Sequence, residues 1–122
     1  MQAVAKWNYV RVSPQKARLV ADQVRGLPTA EALDLLDRTN KRAAKKIRKV
    51  LDSAVANADD QGGDVDELVV ESIVVNEGPR MKRMRASARG RPAPYVHRLA
   101  HIVVTVSQPR DEEDEFEGFD GA

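Results

Sequence analysis

The 122-residue chain contains no cysteine, which removes disulfide frameworks, thiolate nucleophiles and cysteine-based zinc sites and fits a reducing compartment. Long apolar runs are missing too. The longest unbroken ones are three residues, such as Leu68 to Val70, against the ~20 that a membrane-spanning helix requires. Residues 1–10 include Lys6 and Asn8 where a signal peptide would carry an apolar stretch, so a cytoplasmic protein is expected. No glycine-rich phosphate-cradling pattern occurs, and nucleotide hydrolysis has no support. Aromatic residues are scarce as well: before residue 111 they are Trp7, Tyr9 and Tyr95 alone, too few for the stacking platforms with which single-strand modules read unpaired bases. What remains is a chain long enough to bury an ordinary core without covalent staples, as one domain with appendages.

Charge is abundant but unevenly placed. The formal net charge of +1 averages two segments of opposite sign: residues 111–122 hold seven acids and no base, whereas residues 1–110 carry 20 bases against 12 acids, a net of +8. Within that basic body, the stretch from Gly78 to Arg110 contains Arg80, Lys82, Arg83, Arg85, Arg89, Arg91, Arg98 and Arg110 and not one carboxylate. Such a distribution points to a polyanionic partner, recognised by backbone and shape.

Residues 2–12 read as a strand, with Val4, Val10 and Val12 on one parity and Ala3, Ala5, Trp7 and Tyr9 on the other. Ser13 offers a side-chain acceptor for the free amides of a helix whose first position suits Pro14. Ala17, Val20, Ala21 and Val24 then fall on one helical face, and Gly26 and Pro28 end it. Thr29 is placed to cap a second helix, running through Leu33, Leu35 and Leu36 to about Arg38. A third helix, from about Lys41 to Asp59, carries the apolar stripe Ala43, Ile47, Val50, Leu51, Ala54, Val55 and Ala58. Its other face crowds Lys41, Arg42, Lys45, Lys46, Arg48 and Lys49 into the first half, where the helix dipole disfavours positive charge. A local rule broken in this way marks a phosphate-facing surface more readily than a solvated one.

The runs Leu68 to Val75 and Ile102 to Val106 read as two paired strands. Setting Val75 opposite Ile102 puts the turn midway between Ala88 and Arg89, so that the intervening residues form one long hairpin. Its arms, at ~3.3 Å per residue, reach roughly 40 Å beyond the sheet. They hold few apolar residues, and an isolated two-stranded ribbon is marginal in water, so a partner must order them. The expected architecture is therefore α/β of the α+β kind: a small three-stranded antiparallel sheet packed on three helices, with one protruding β-hairpin over about 76–101. One domain spans 1–110, and 111–122 is an acidic, disordered tail.

Catalytic and metal chemistry find no foothold. His97 and His101, the only histidines, lie about 13 Å apart along a strand and cannot chelate one ion. Asp59, Asp60, Asp64 and Asp66 lack the alternating register and closing glutamate of a calcium loop. Ser13, Ser53, Ser72, Ser87 and Ser107 have no base and orienting acid in evidence. Neither enzyme activity nor a cofactor is expected.

Three segments carry a specific resemblance. Tyr9-Val10-Arg11-Val12-Ser13-Pro14-Gln15-Lys16-Ala17-Arg18-Leu19-Val20, then Ser53-Ala54-Val55-Ala56-Asn57-Ala58, then Glu77-Gly78-Pro79-Arg80-Met81-Lys82-Arg83-Met84 with Arg89-Gly90-Arg91 and His101-Ile102 stand in the order found in the bacterial large-subunit ribosomal protein twenty-two family, which the chain resembles across residues 3–107. The resemblance implies a non-catalytic constituent of the large ribosomal subunit, bound to ribosomal RNA beside neighbouring ribosomal proteins, monomeric within the cytoplasmic ribosome and supporting its assembly. A basic hairpin would line the peptide exit tunnel and meet the nascent peptide. Expected RNA contacts are Arg11, Ser13, Lys16, Arg18, Lys41, Lys45, Lys49, Arg80, Lys82, Arg83, Arg85, Arg89, Arg91, Arg98 and His101. The expected tunnel-lining tip is Met84, Ser87, Ala88, Arg89, Gly90 and Arg91. Pro92, Ala93 and Pro94, with Val96 and His97, stand where the family is usually more basic, and the acidic tail is foreign to its pattern. The alternative is a DNA-bending architectural protein with basic β-arms, which would work as a dimer and carry a proline wedge at Arg91-Pro92.

Either partner is held mainly through phosphates, which sets a salt dependence. If about six phosphates are neutralised, log K against log salt in an RNA titration falls with a slope of roughly −4 to −5. A slope near zero would sink the electrostatic reading.

Overall fold

The computed structural model describes residues 1–86 and 92–108. In chain order it comprises β1 (Gln2–Val10), α1 (Pro14–Val24), α2 (Thr29–Arg38), α3 (Arg42–Asp60), a single 3-10 turn (Val65–Glu67), β2 (Val69–Glu77), β3 (Met81–Ala86), β4 (Pro92–His97) and β5 (Ala100–Ser107). β5 lies between β1 and β2 in a three-stranded antiparallel sheet, and β3 pairs with β4 in a separate two-stranded ladder. The expected α+β architecture of three helices and a three-stranded antiparallel sheet is thus the one adopted. The tip residues Ser87, Ala88, Arg89, Gly90 and Arg91, and the tail, lie outside the described residues.

The core forms where one face of the sheet meets α3. Ala100, Ile102, Val104 and Val106 alternate inward along β5, joined by Ala3, Ala5, Ile73 and Val75 from its neighbours, while Ile47, Val50, Leu51, Ala54 and Ala58 fill the facing stripe of α3. Ala44, absent from the expected stripe, is fully buried as well. Asn57 ties the two layers together, its Nδ2 donating to the Val4 carbonyl at 2.9 Å.

β1 departs from the simple alternation. Ala3 and Ala5 point inward and Val4 is exposed, yet Val10 is buried and Tyr9 exposed, so the inward parity changes along the strand. The register explains it: Trp7 pairs with Ile102 and Val10 with Ala100, three steps on β1 against two on β5. This bulge places Tyr9 at φ 60°, a left-handed conformation that disfavours a side chain by roughly 1–2 kcal/mol. The Tyr9 amide donates to His101 Nδ1 at 3.1 Å, and the two rings meet edge-on at 4.9 Å. The strand ends here at Val10, two residues short of the expected Val12.

Both expected hydroxyl caps are absent. Ser13 occupies the N-cap of α1 without a side-chain cap bond; Pro14, which has no N–H, already removes one orphan donor. Thr29 is the first residue of α2 rather than its cap, a position held by Pro28. The Thr29 amide instead donates to the Leu68 carbonyl at 3.0 Å. At the end of α1, Gly26 adopts φ 86°, which suits glycine, and its amide donates to the Val70 carbonyl at 2.9 Å.

Those bonds belong to a larger arrangement along the outer edge of β2. The Val70 amide donates to Leu27, Arg25 Nη2 donates to the Ile73 carbonyl at 2.7 Å and Arg18 Nε to the Val75 carbonyl at 3.1 Å. Arg18 on α1 and Arg25 at its C-cap thereby occupy edge carbonyls that would otherwise invite another strand.

Val75 pairs with Ile102, the register supposed from the sequence, but the ladder does not continue unbroken into the hairpin. Glu77 is opposite Ala100, whereas Met81 is opposite His97. Three residues, Gly78 to Arg80, separate the outgoing strands, and only Arg98 and Leu99 separate the returning ones. The extra residue shifts the pairing of β3 with β4 by one position relative to that of β2 with β5; the expected turn between Ala88 and Arg89 lies outside the described residues. Gly78 sits closely packed at this step: its amide donates to the Leu99 carbonyl at 2.8 Å, and an added Cβ would lie 3.2 Å from that oxygen and 3.3 Å from the His101 ring, so that a larger residue would have to displace a neighbour by a few tenths of an ångström. Pro92 and Pro94 are accommodated within β4 because a two-stranded ribbon has two edges, where a missing amide is tolerated.

Leu51, fully buried on α3, gives the clearest stability test. Leu51→Ala should destabilise by about 2–5 kcal/mol, while Leu19→Ala, at a side chain 56% exposed, should change stability by under about 0.5 kcal/mol. Urea unfolding at constant m-value measures both.

Candidate nucleic-acid interface

The bulge of β1 and the starts of α1 and α3 converge on one end of the body. Between them opens a groove of about 570 Å³, lined by Arg11, Val12, Ser13, Lys16, Leu19, Lys41, Arg42 and Ala43. Four of these are cations and none is an acid. The two helices enter it by their N-termini, neither closed by a side-chain cap nor carrying an acidic residue in its first turn. Free amides and the positive ends of two helix dipoles thus add to the four cationic side chains. An anion bound here would be held by both the charges and the amide donors, and phosphate has the chemistry to accept from both.

Of the residues expected to contact RNA, the structure gathers Arg11, Ser13, Lys16 and Lys41 into this groove. Arg42 and Leu19 join them. Arg42 was legible in the basic run of α3 but not singled out, and nothing in the sequence places Leu19 at the rim. The remaining body residues are arranged differently. Arg18 is bound through Nε to the β2 edge. Lys49 lies 5.9 Å from the centre of the Trp7 ring, with Lys46 at 5.5 Å, a pair of cation–π contacts on the α3 flank. Lys45 is exposed on the same helix. Arg48 is engaged by carboxylates, with Nε 2.6 Å from Asp37 and Nη1 3.3 Å from Asp52.

The base of the hairpin continues the basic surface. Arg80 and Arg98 are exposed there, Arg80 within 3.0 Å of Glu77. His101 commits Nδ1 to the Tyr9 amide, leaving Nε2 for an outside acceptor. Lys82, Arg83, Met84 and Arg85 lie along β3; Arg89 and Arg91 fall outside the described residues. At the opposite end of the body lie Asp59, Asp60, Asp64, Asp66 and Glu67, on the last turn of α3 and the 3-10 turn after it. The molecule is therefore electrically polar along α3. No group of three or more metal-ligating side chains occurs among the described residues, and no described helix is long and apolar enough to cross a membrane.

Basic residues at the start of α3 oppose its dipole, so their presence weakens the helix. Arg42→Glu should accordingly stabilise the fold by about 0.3–1 kcal/mol while removing charge from the groove. A lower urea midpoint for this variant would mean that Arg42 serves the fold instead. Comparison with known proteins agrees with the polarity of the surface: residues 5–107 match the family model described as ribosomal protein L22p/L17e.

Proposed function

Because the chain belongs to the ribosomal protein L22p/L17e family, it is a non-catalytic constituent of the large ribosomal subunit that binds ribosomal RNA, and we propose that the basic end of the body and the hairpin divide that binding between them. The carrying observation is the groove: four cations and two uncapped helix N-termini around one concavity, with no acid in its lining. In this reading Arg11, Ser13, Lys16, Lys41 and Arg42 clamp the phosphate backbone of an RNA helix, with Lys45 and Lys49 beside them on α3. Such contacts fix position and orientation and carry little sequence information. Arg18 and His101 border the surface, each with one nitrogen already committed to the fold.

The hairpin supplies the second part. Arg80, Lys82, Arg83, Arg85 and Arg98 enter the RNA from the groove side, and the RNA orders a ribbon that has little apolar surface of its own. Met84 and the turn from Ser87 to Arg91, including Arg89, then reach the wall of the peptide exit tunnel and meet the nascent peptide. Neighbouring ribosomal proteins complete the setting, a bacterial cytoplasmic ribosome in which the protein acts as a monomer and supports assembly. Residues 1–110 form the working domain, hairpin included, and the acidic residues 111–122 follow it as a tail.

Anchoring and tunnel function should separate on mutation. Deleting Ser87 to Gly90 removes no large apolar side chain and should leave incorporation into subunits intact, altering instead the passage of stalling peptides and the action of drugs bound in the tunnel. Changing Arg80, Lys82 and Arg83 together to glutamate should block incorporation, because carboxylates would be buried against phosphates. Quantifying the protein in purified subunits decides the matter; loss of incorporation on tip deletion, with normal incorporation of the reversal, would overturn this division.

A further inference from the structure

The groove collects positive charge, and the same chain ends in residues 111–122 with seven acids and no base, beyond the residues that match the family. Resting on the reading of the groove as an anion site, we propose that this tail is the groove's occupant before RNA arrives, an internal counter-anion that RNA must displace.

Charge and reach both favour that destination. The tail leaves the body beside its acidic end: the Gln108 amide donates to the Met1 carbonyl at 3.2 Å, and its side-chain Nε2 lies 3.4 Å from Glu67 Oε2. Glu71 is nearby, bonded to Gln2, and Asp64 caps the 3-10 turn that contains Asp66. Like charge therefore drives the tail away from its point of departure. The groove lies at the other end of β1, whose nine residues span roughly 30 Å. Residues 109–122 can extend over roughly 46–50 Å, so the distal acids Glu115, Glu117 and Asp120 reach Lys16, Lys41 and Arg42. Phe116 and Phe119 are interleaved with those acids, and Leu19 offers an exposed apolar side chain at the groove. Tethering raises the local concentration of the tail to the millimolar range, enough for a contact too weak to form between separate molecules.

The consequence is a filter. A ligand that engages the groove alone competes with the tail at a disadvantage, whereas an RNA that also binds the hairpin displaces it. Fractional occupancy of the groove lowers the apparent affinity for RNA in proportion to the competent fraction left, and salt weakens both contacts.

The test uses the full-length chain and a variant of equal length, Glu115→Gln, Glu117→Gln and Asp120→Asn. In the absence of RNA, backbone amide resonances of Lys16, Leu19, Lys41 and Arg42 should differ between the two proteins, independently of protein concentration. With an RNA duplex of about twenty base pairs, the variant should bind about five- to tenfold more tightly at about 50 mM salt and under about twofold more tightly at about 300 mM. Unchanged groove resonances overturn the proposal, as do changes confined to the open sheet face at Val74 and Val103, or changes that vanish on dilution and so belong to a second copy. If the groove resonances respond to the tail but Lys16→Gln with Lys41→Gln leaves RNA affinity intact, the tail contact stands and the RNA reading of the groove falls.

Discussion

The register of β5 against its two neighbours holds the molecule together. This strand is paired on both sides, and the alternation of Ala100, Ile102, Val104 and Val106 gives α3 a continuous apolar surface. A slip of one residue would turn that set outward and bring His101, Val103 and Thr105 to the core. The same register sets the bulge at Tyr9, because His101 must face the Tyr9 amide, and it brings the base of the hairpin beside the starts of α1 and α3. Position of the basic end thus follows from packing in the core, although none of the groove cations takes part in it.

Stability and function pull in opposite directions at that end. Cations in the first turns of two helices oppose both dipoles, and no acid is among the described residues that line the groove. Where the chain needs arginine for the fold, it provides partners: Arg48 between Asp37 and Asp52, Arg25 between Asp22 and the Ile73 carbonyl. These exposed ion pairs contribute little each. The contrast nevertheless separates the arginines tied into the body from Lys16, Lys41 and Arg42 at the rim of the groove.

Much of this was legible in the sequence. The stripe of α3, the pairing of Val75 with Ile102 and the basic first half of α3 are periodic or compositional signals that survive folding unchanged. The missed features depend on tertiary contact. A bulge is invisible in Val4, Val10 and Val12 because their common parity looks intact until one residue adopts a left-handed backbone. Ser13 and Thr29 look like caps, but Pro14 and the β2 edge use those positions in other ways. Arg18 reads as a surface cation, and only the packing of α1 beside β2 shows its Nε on a carbonyl. The groove itself joins residues 11–19 to residues 41–43, a proximity that no linear spacing announces.

The unequal arms at the hairpin base, three residues out and two back, constrain how this extension can change length over evolutionary time. Side chains alternate with a period of two. One residue added to each arm preserves pairing but exchanges the two faces of everything beyond it, and one added to a single arm has to be absorbed as a bulge, as on β1 at Tyr9. Viable lineages should therefore lengthen or shorten the ribbon by two residues in both arms at once, in strides of about 7 Å. Reach would then be a quantised trait.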